Sequence, residues 1–333
     1  MTTRIALIGA GSVARRHASV LMSLQDVKIV AVADPSEAAA DKLAQRCGAR
    51  SFRDIEDALD SKDADAVYVC VPPFAHGALE KVVLARRLPM FVEKPLAVDL
   101  ATAEEIAARV EQAGVVTGTG YHWRCLDVVN EARDLLRHAA PRLACGYWLD
   151  KEPTAPWWAQ RHRSGGPVIE QLTHVVDLAR VILGDAVDVY AAGSPRQKAR
   201  GENTEASAHV DDATAATVCF ASGAVATLAT TSVLDVKHRA ELHVFGRGIV
   251  VELSESGMVV TRGTTRHHRQ PAEDPRVTVD REFIEAVRGE REATRAPYAE
   301  MIHTHRLACA VAESARTRQP VRIPTVTRGT SLQ

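Results

Sequence analysis

Glu170 and His174 stand four positions apart in the run VIEQLTH, which puts them one turn from each other on a helix. Three kinds of chemistry suit such a pair: half of a metal site, an acid and a base for proton transfer, or a solvated helix flank. Zinc asks for three or four ligands, and no further His, Cys or Asp cluster lies near this run, so no metal is expected. Far upstream, Lys94 follows the apolar run PMFV and precedes Pro95, where a cis peptide bond is plausible. That places Lys94 at the C-terminal end of a strand, the edge at which open α/β sheets bind ligands. A lysine there can also simply reach into solvent.

Gly9 and Gly11 interrupt an apolar run, RIALIGAG, just before a helical pattern with Val13, Val20, Leu21 and Leu24. A strand, a glycine turn and a helix start make room for a pyrophosphate, whose charge the free N–H groups of the first turn can meet. Gly9, Gly11, Ser12 and Val13 are the residues expected at that contact. Asp34 closes the next strand, VKIVAVAD, roughly 20 residues on, where a carboxylate can accept both adenosine ribose hydroxyls. A 2′-phosphate would meet like charge there, and Pro35, Ser36 and Glu37 offer no arginine, so NAD is expected over NADP. Asp34 could equally cap the helix that follows.

Positioning these groups takes a particular scaffold. Apolar strands alternate with helices through DIEDALD, ADAVYVCVPP, HGALEKVVLARR, PMFVEKP, DLATAEEIAARVEQAG and VVTGTGY. That order predicts a doubly wound parallel sheet covered on both faces, over residues 1–121. Beyond it, RLACGYWLDK, AVDVYAAGS, DATAATVCFASGAVATLATTSV and AELHVFGRGIVVEL carry β-branched residues and turn signals, with few helices between them. A second α/β domain, 122–333, with a large open and mainly antiparallel sheet is therefore expected. Pro167 starts an amphipathic helix through Val168, Ile169, Leu172, Val175, Val176 and Leu178, with Glu170, His174 and Asp177 on one flank.

The bulk numbers agree with two soluble domains. In 333 residues, 41 basic side chains nearly cancel 42 acidic ones, which advertises neither a nucleic-acid nor a membrane partner. The apolar runs fall short of the ~20 residues that cross a bilayer, and no export signal is visible at the N-terminus. Cys47, Cys70, Cys125, Cys145, Cys219 and Cys309 show no CxxC spacing and read as reduced residues of a cytoplasmic protein.

Taken together, GAGSVARRH, CVPPFAH, the tripeptide Glu93-Lys94-Pro95, GYHWR, SGGPVIEQLTHVVDLARVILG and the tail YAEMIHTHRLACAVAESARTRQPV resemble, in that order, the Gfo/Idh/MocA oxidoreductases. The resemblance spans nearly the whole chain. It implies a dinucleotide domain followed by an open-sheet domain whose exposed face buries against another subunit, giving a homodimer or homotetramer, and a closing helix at about 299–318 that packs back on the first domain.

Pro72, Pro73 and His76 then border the nicotinamide half of the cofactor, with Glu93 and Lys94 beside it. Lys94 touches a substrate hydroxyl and shares in proton transfer, and His174 aligns with the histidine that takes the hydroxyl proton. Arg124 and Tyr121, at the hinge, are expected on the substrate. Many relatives have aspartate at the position of Glu170 and glycine two residues later, where this chain has Leu172. Glu170 therefore either touches substrate or only orients His174. In DKEPTAPWWAQRHRSGG, Trp157 or Trp158 could stack on a sugar face and Arg161 or Arg163 could hold an anion, unless the segment is a mobile lid.

The resulting expectation is an NAD-dependent oxidoreductase that interconverts a secondary alcohol and a ketone on a sugar, cyclitol or related polyol. A ketoreductase of a nucleotide-linked ketosugar and a non-catalytic dinucleotide-binding regulator are the alternatives.

Overall fold

The structure is a computed structural model that describes residues 2–60, 63–196 and 209–324. The chain divides into two compact units. One joins Met1–Asp127 with His162–Ser164 and Pro271–His305; the other joins Val128–Arg161 with Gly165–Gln270 and Arg306–Gln333. A boundary at 121 lies close to the end of the first stretch, but Pro271–His305 rejoins the first unit.

The first unit runs β1 (Thr3–Ile8), α1 (Ser12–Leu21), β2 (Val27–Ala33), α2 (Glu37–Cys47), β3 (Arg50–Phe52), α3 (Ile55–Asp60), β4 (Ala66–Val69), α4 (Ala78–Ala85), β5 (Met90–Val92), α5 (Leu100–Ala113) and β6 (Thr117–Thr119). Its six strands are all parallel in the order β3-β2-β1-β4-β5-β6, the doubly wound arrangement that the alternating pattern predicts. Helices start and stop on local signals. The Asp99 carboxylate accepts the Thr102 N–H at the start of α5, and left-handed Gly48 and Gly114 end α2 and α5.

The remaining elements are α6 (Asp127–Arg137), β7 (Leu143–Lys151), α7 (Arg161–Ser164), a π-helical turn over Val168–Leu172, α8 (Thr173–Leu183), β8 (Ala186–Ser194), β9 (Ala213–Phe220), β10 (Val225–Leu234), β11 (Arg239–Gly246), β12 (Ile249–Ser254), β13 (Gly257–Arg262), β14 (Thr265–Arg269), α9 (Pro275–Val287), α10 (Tyr298–Thr317) and β15 (Val321–Arg322). Of these, α9 and the first turns of α10 belong to the first unit. Val279, Phe283 and Ile284 of α9 pack with Ile5, Leu7, Tyr68 and Phe91 on one face of the parallel sheet. Tyr298, Met301 and Ile302 of α10 pack with Ile8, Val69 and Val92 on the other. Burying one such side chain is worth about 1.5–3 kcal/mol, so these distant segments are an integral part of the first core.

The second unit is built on a nine-stranded sheet, ordered β14-β13-β12-β11-β7-β10-β9-β8-β15. Every neighbouring pair is antiparallel except β7 with β10. Alternate residues of β11 and β12 are buried, including Leu242, Val244, Val251 and Leu253, while Glu241, His243 and Glu252 point to the opposite face. That outward face also carries Thr217 and Tyr190, so it mixes polar with apolar groups. Gly146 on β7 lets α8 approach closely: a Cβ there would lie 2.5 Å from Val175 and 2.9 Å from Leu228.

The helix carrying His174 differs from the expected amphipathic one. Residues 171–180 are all buried, so its polar flank with His174 and Asp177 is not exposed, and the chain enters α8 through π-helical rather than α-helical turns. Two Gly residues with positive φ, Gly165 at 77° and Gly166 at 95°, precede that entry.

Candidate active site

In the first unit the glycine loop has the shape a dinucleotide needs. Gly9 has φ 99°, and a Cβ there would collide with the Cys70 carbonyl. Nothing lies within 4 Å of where a Cβ on Gly11 would be, and Gly11 and Ser12 are exposed. No side chain caps the start of α1 and no acidic residue stands in its first turn, which leaves those N–H groups for an anion. Val13 is half-buried behind them.

A cavity of about 570 Å³ opens beside the loop, lined among others by Gly9, Gly11, Asp34, Arg53, Val71 and Pro72. The Asp34 carboxylate sits at its edge, with one oxygen accepting the Ala10 N–H at 2.8 Å and the other the Ser36 N–H at 2.8 Å. It thus braces the glycine loop and the turn ahead of α2, whose cap residue is Ser36 rather than Asp34. Asp54 and Glu56 also line the cavity, and three carboxylates outweigh the one guanidinium of Arg53, an arginine that reading only the residues next to Asp34 misses. A ribose with free hydroxyls fits this wall better than a 2′-phosphate. The loop, the uncapped helix start and the carboxylate together fit NAD.

Pro73 begins a short 3₁₀ turn that ends at His76, whose Nδ1 lies 2.6 Å from a Glu80 oxygen; the other oxygen of Glu80 accepts the Gly77 N–H at 2.6 Å. His76 Nε2 is buried without a hydrogen-bond partner. The Lys94-Pro95 bond is cis, and Lys94 is half-buried at the end of β5.

Glu93, expected at the cofactor, faces inward instead. One of its oxygens lies 2.8 Å from His17 Nε2 and accepts from Arg16 at 3.1 Å; the other accepts the Lys94 backbone N–H at 3.0 Å. Tyr121, expected on the substrate, is fully buried in the core with Val92 and Leu96. Arg124 keeps a little exposure and pairs with Glu300 at 3.5 Å.

In the second unit His174 is 3% exposed, and its ring stacks at 5.8 Å on Trp148 of β7. Glu170 is half-buried and accepts a hydrogen bond from Trp158 Nε1 at 3.3 Å. Trp158 is fully buried, while Trp157 keeps partial exposure. The cations of that segment are engaged: Arg161 pairs with Asp211 at 3.2 Å in the second unit, and Arg163 stacks 4.0 Å over the Phe74 ring in the first. One His/Glu trio that the sequence does not reveal appears on the outward sheet face, where Glu241, His243 and Glu252 bring one ligand atom each within 4.8 Å of the others. Its members already satisfy one another and their neighbours, with His243 2.7 Å from Glu241 and Arg266 holding both oxygens of Glu252.

Asp280, which no sequence motif marks, holds His17 from α9. The signal for α9 was present in Asp274-Pro275, a cap and a first-turn proline ahead of Val279, Phe283 and Ile284. The six cysteines are free, and among the described residues no helix is long and apolar enough to cross a membrane.

Comparison with known proteins agrees with this geometry. A D-glucoside 3-dehydrogenase of Escherichia coli is 30% identical over 268 residues, 72% of this chain and 73% of that one. A myo-inositol 2-dehydrogenase of Thermotoga maritima is 26% identical over 196 residues, 57% of this chain and 58% of that one. With two further curated relatives the matched region spans 37% and 56% of their length. Levoglucosan dehydrogenase, in a complex with NADH and levoglucosan, shares the fold with a TM-score of 0.85 at 19% identity, over 98% of this chain and 100% of that one. Residues 3–121 match the oxidoreductase family with an NAD-binding Rossmann fold, and residues 140–251 match the GFO/IDH/MocA C-terminal domain. The chain belongs to the Gfo/Idh/MocA family of NAD-binding oxidoreductases.

Proposed function

We propose that this protein is an NAD-dependent dehydrogenase or reductase that interconverts a secondary alcohol and a ketone on a sugar, cyclitol or related polyol. The observation that carries the reading is that both proton-handling groups have dedicated support: Glu93 accepts the Lys94 backbone N–H, and Trp148 backs the His174 ring. A protein that only senses a dinucleotide needs neither. The activities named for the D-glucoside and myo-inositol relatives fall in this substrate class.

The nicotinamide cofactor supplies the hydride acceptor in one direction and the donor in the other. Gly9, Gly11, Ser12 and Val13 of the loop, Asp34 and Pro72 of the cavity, and Pro73 and His76 of the turn that follows it are the residues proposed to hold it. In oxidation, His174 takes the proton of the substrate hydroxyl as the C–H bond gives up its electron pair; in reduction it returns that proton. Lys94 contacts a substrate hydroxyl and takes a share in proton transfer. Glu170 either touches the substrate or orients His174, and Arg124 and Trp157 are each proposed as substrate contacts. Subunits associate as a homodimer or homotetramer through the outward sheet face, which light scattering on purified protein checks.

A nucleotide-linked ketosugar is the weaker reading, because Arg161 and Arg163 are already engaged by Asp211 and Phe74. The test is a screen of sugars, cyclitols and sugar nucleotides for a change in NADH absorbance. Turnover of a free polyol is the expected result. A protein that binds NADH yet turns over nothing in either direction is a regulator instead. Asp34→Ala is expected to weaken NAD more than NADP, and equal losses would remove the role given to that carboxylate.

A further inference from the structure

His17 lies on α1, five residues past the helix start, and its ring is 1% exposed between the Tyr68 and Phe91 rings, 5.4 and 5.1 Å away. Both of its nitrogens meet carboxylates. Nδ1 lies 2.7 and 2.9 Å from the two Asp280 oxygens, and Nε2 lies 2.8 Å from Glu93 Oε1. A neutral imidazole has one N–H to give, so one of these contacts would set lone pair against lone pair; an imidazolium satisfies both. Gly120 leaves the space for this arrangement, since a Cβ there would collide with the Glu93 carboxylate.

Burial alone would lower the His17 pKa, but Asp280 and then Glu93 outweigh it and raise it to about 9. Burial likewise works against an ionised Glu93, and His17 and Arg16 overcome it, bringing that carboxyl down to about 2. The other groups facing the cluster are Arg16, Lys94, Tyr68 and Cys70; burial pushes the last two well above their ordinary values, so both stay neutral. Glu93 is thereby a two-ended bridge, with one oxygen on α1 and the other on the Lys94 backbone.

We propose that His17 and Asp280 are positioning residues for the reaction: Asp280 anchors a charged His17, which holds Glu93 in the orientation that fixes Lys94. The proposal rests on the proton-transfer role given to Lys94 above. Because α1 begins at the glycine loop, the bridge also links the segment that meets the cofactor phosphates to the lysine that meets the substrate oxygen. A purely structural ion cluster would stabilise the core without changing Lys94, and the two differ in what can be measured.

The experiment is a pH titration from 6 to 10 by amide and histidine-ring NMR, on wild type and Asp280→Asn, with kcat and NADH affinity taken alongside. In the wild type the Lys94 amide shift is expected to move with the midpoint of the His17 ring. Asp280→Asn should lower both midpoints together by about one pH unit or more, since a buried ion partner is lost. It should also reduce kcat about tenfold with the NADH Kd within about twofold, as expected of a misplaced catalytic group. A Lys94 amide that stays still while His17 titrates overturns the proposal, and so does a variant with a shifted His17 and an unchanged kcat. Should Asp280→Asn fail to fold, the wild-type titration alone decides. A protein without turnover on any polyol would sink the functional reading, while the amide titration would still decide the bridge.

Discussion

In the first unit the residue meant for chemistry, Lys94, adjoins a buried net of charges drawn from α1, β5 and α9. In the second, His174 sits in a helix whose neighbours Val168, Ile169, Leu172, Val175, Val176 and Leu178 are buried and apolar, with a tryptophan face behind the ring. The contrast matters because the two kinds of support fail differently. A buried ionic net depends on protonation and loses its function once a partner is missing, since the remaining charge is left unpaired at a cost of about 3–5 kcal/mol. Support by packing depends less on protonation and is sensitive to a single added or lost methyl.

The largest expected effect breaks the second side at its centre. His174→Ala should lower kcat by about 10² or more while leaving NADH affinity near that of the wild type, because general acid–base catalysis is typically worth that much. Steady-state kinetics with fluorescence titration of NADH would show it, and a mutant at wild-type speed would remove the mechanism. The next tests the first side by pH. His17 has a folded pKa raised to about 9 over an unfolded value near 6.5, so its contribution is fully present below the unfolded value and is lost as pH rises through about 9. Glu93, depressed to about 2, contributes above about 4.5 and loses that contribution as pH falls towards 2. Melting curves should therefore show Tm falling by several degrees between pH 7 and 10 in the wild type, and a flatter alkaline limb in His17→Gln.

The same contrast explains what could be read from sequence. The glycine loop, Asp34 and the strand ending at Lys94 were legible because each signal is local: a turn, a strand end and a helix start lie within a few residues of one another. Short β3 was missed, as three residues carry no period. Asp280 was out of reach, since its partner His17 is 263 positions away and nothing in either segment announces the other. Burial misled in the opposite direction. The run from Val168 to Leu178 carries apolar residues at helical spacing, which suggests an exposed opposite flank, yet Asp177 is 1% exposed, because tertiary packing covers what a lone helix would show to solvent. Tyr121 is expected on the substrate from its place at the hinge, and Trp158 is one of two tryptophans that could stack on a sugar; both are fully buried. Whether a tyrosine or tryptophan faces a ligand or an interior is decided by tertiary packing, which a one-dimensional pattern does not contain.

Gly146→Ala probes the packed side without touching an ionisable group. The added methyl would press on Val175, the residue after His174, and α8 would have to lift from β7. The overpacking cost is about 1–3 kcal/mol. It should appear as a Tm lowered by several degrees together with a fall in kcat at all pH values, whereas a pH-dependent loss would mean that charge also holds His174.

The smallest effect is expected from Glu170→Gln, which keeps an acceptor for Trp158 Nε1 while deleting the charge. If Glu170 only orients His174, one weakened hydrogen bond of about 0.5–1.5 kcal/mol is at stake, and kcat should fall less than about tenfold with KM unchanged. A loss near that of His174→Ala, or a large rise in KM, would place the carboxylate on the substrate itself. The second side would then depend on charge as the first does, and the contrast between the units would not survive.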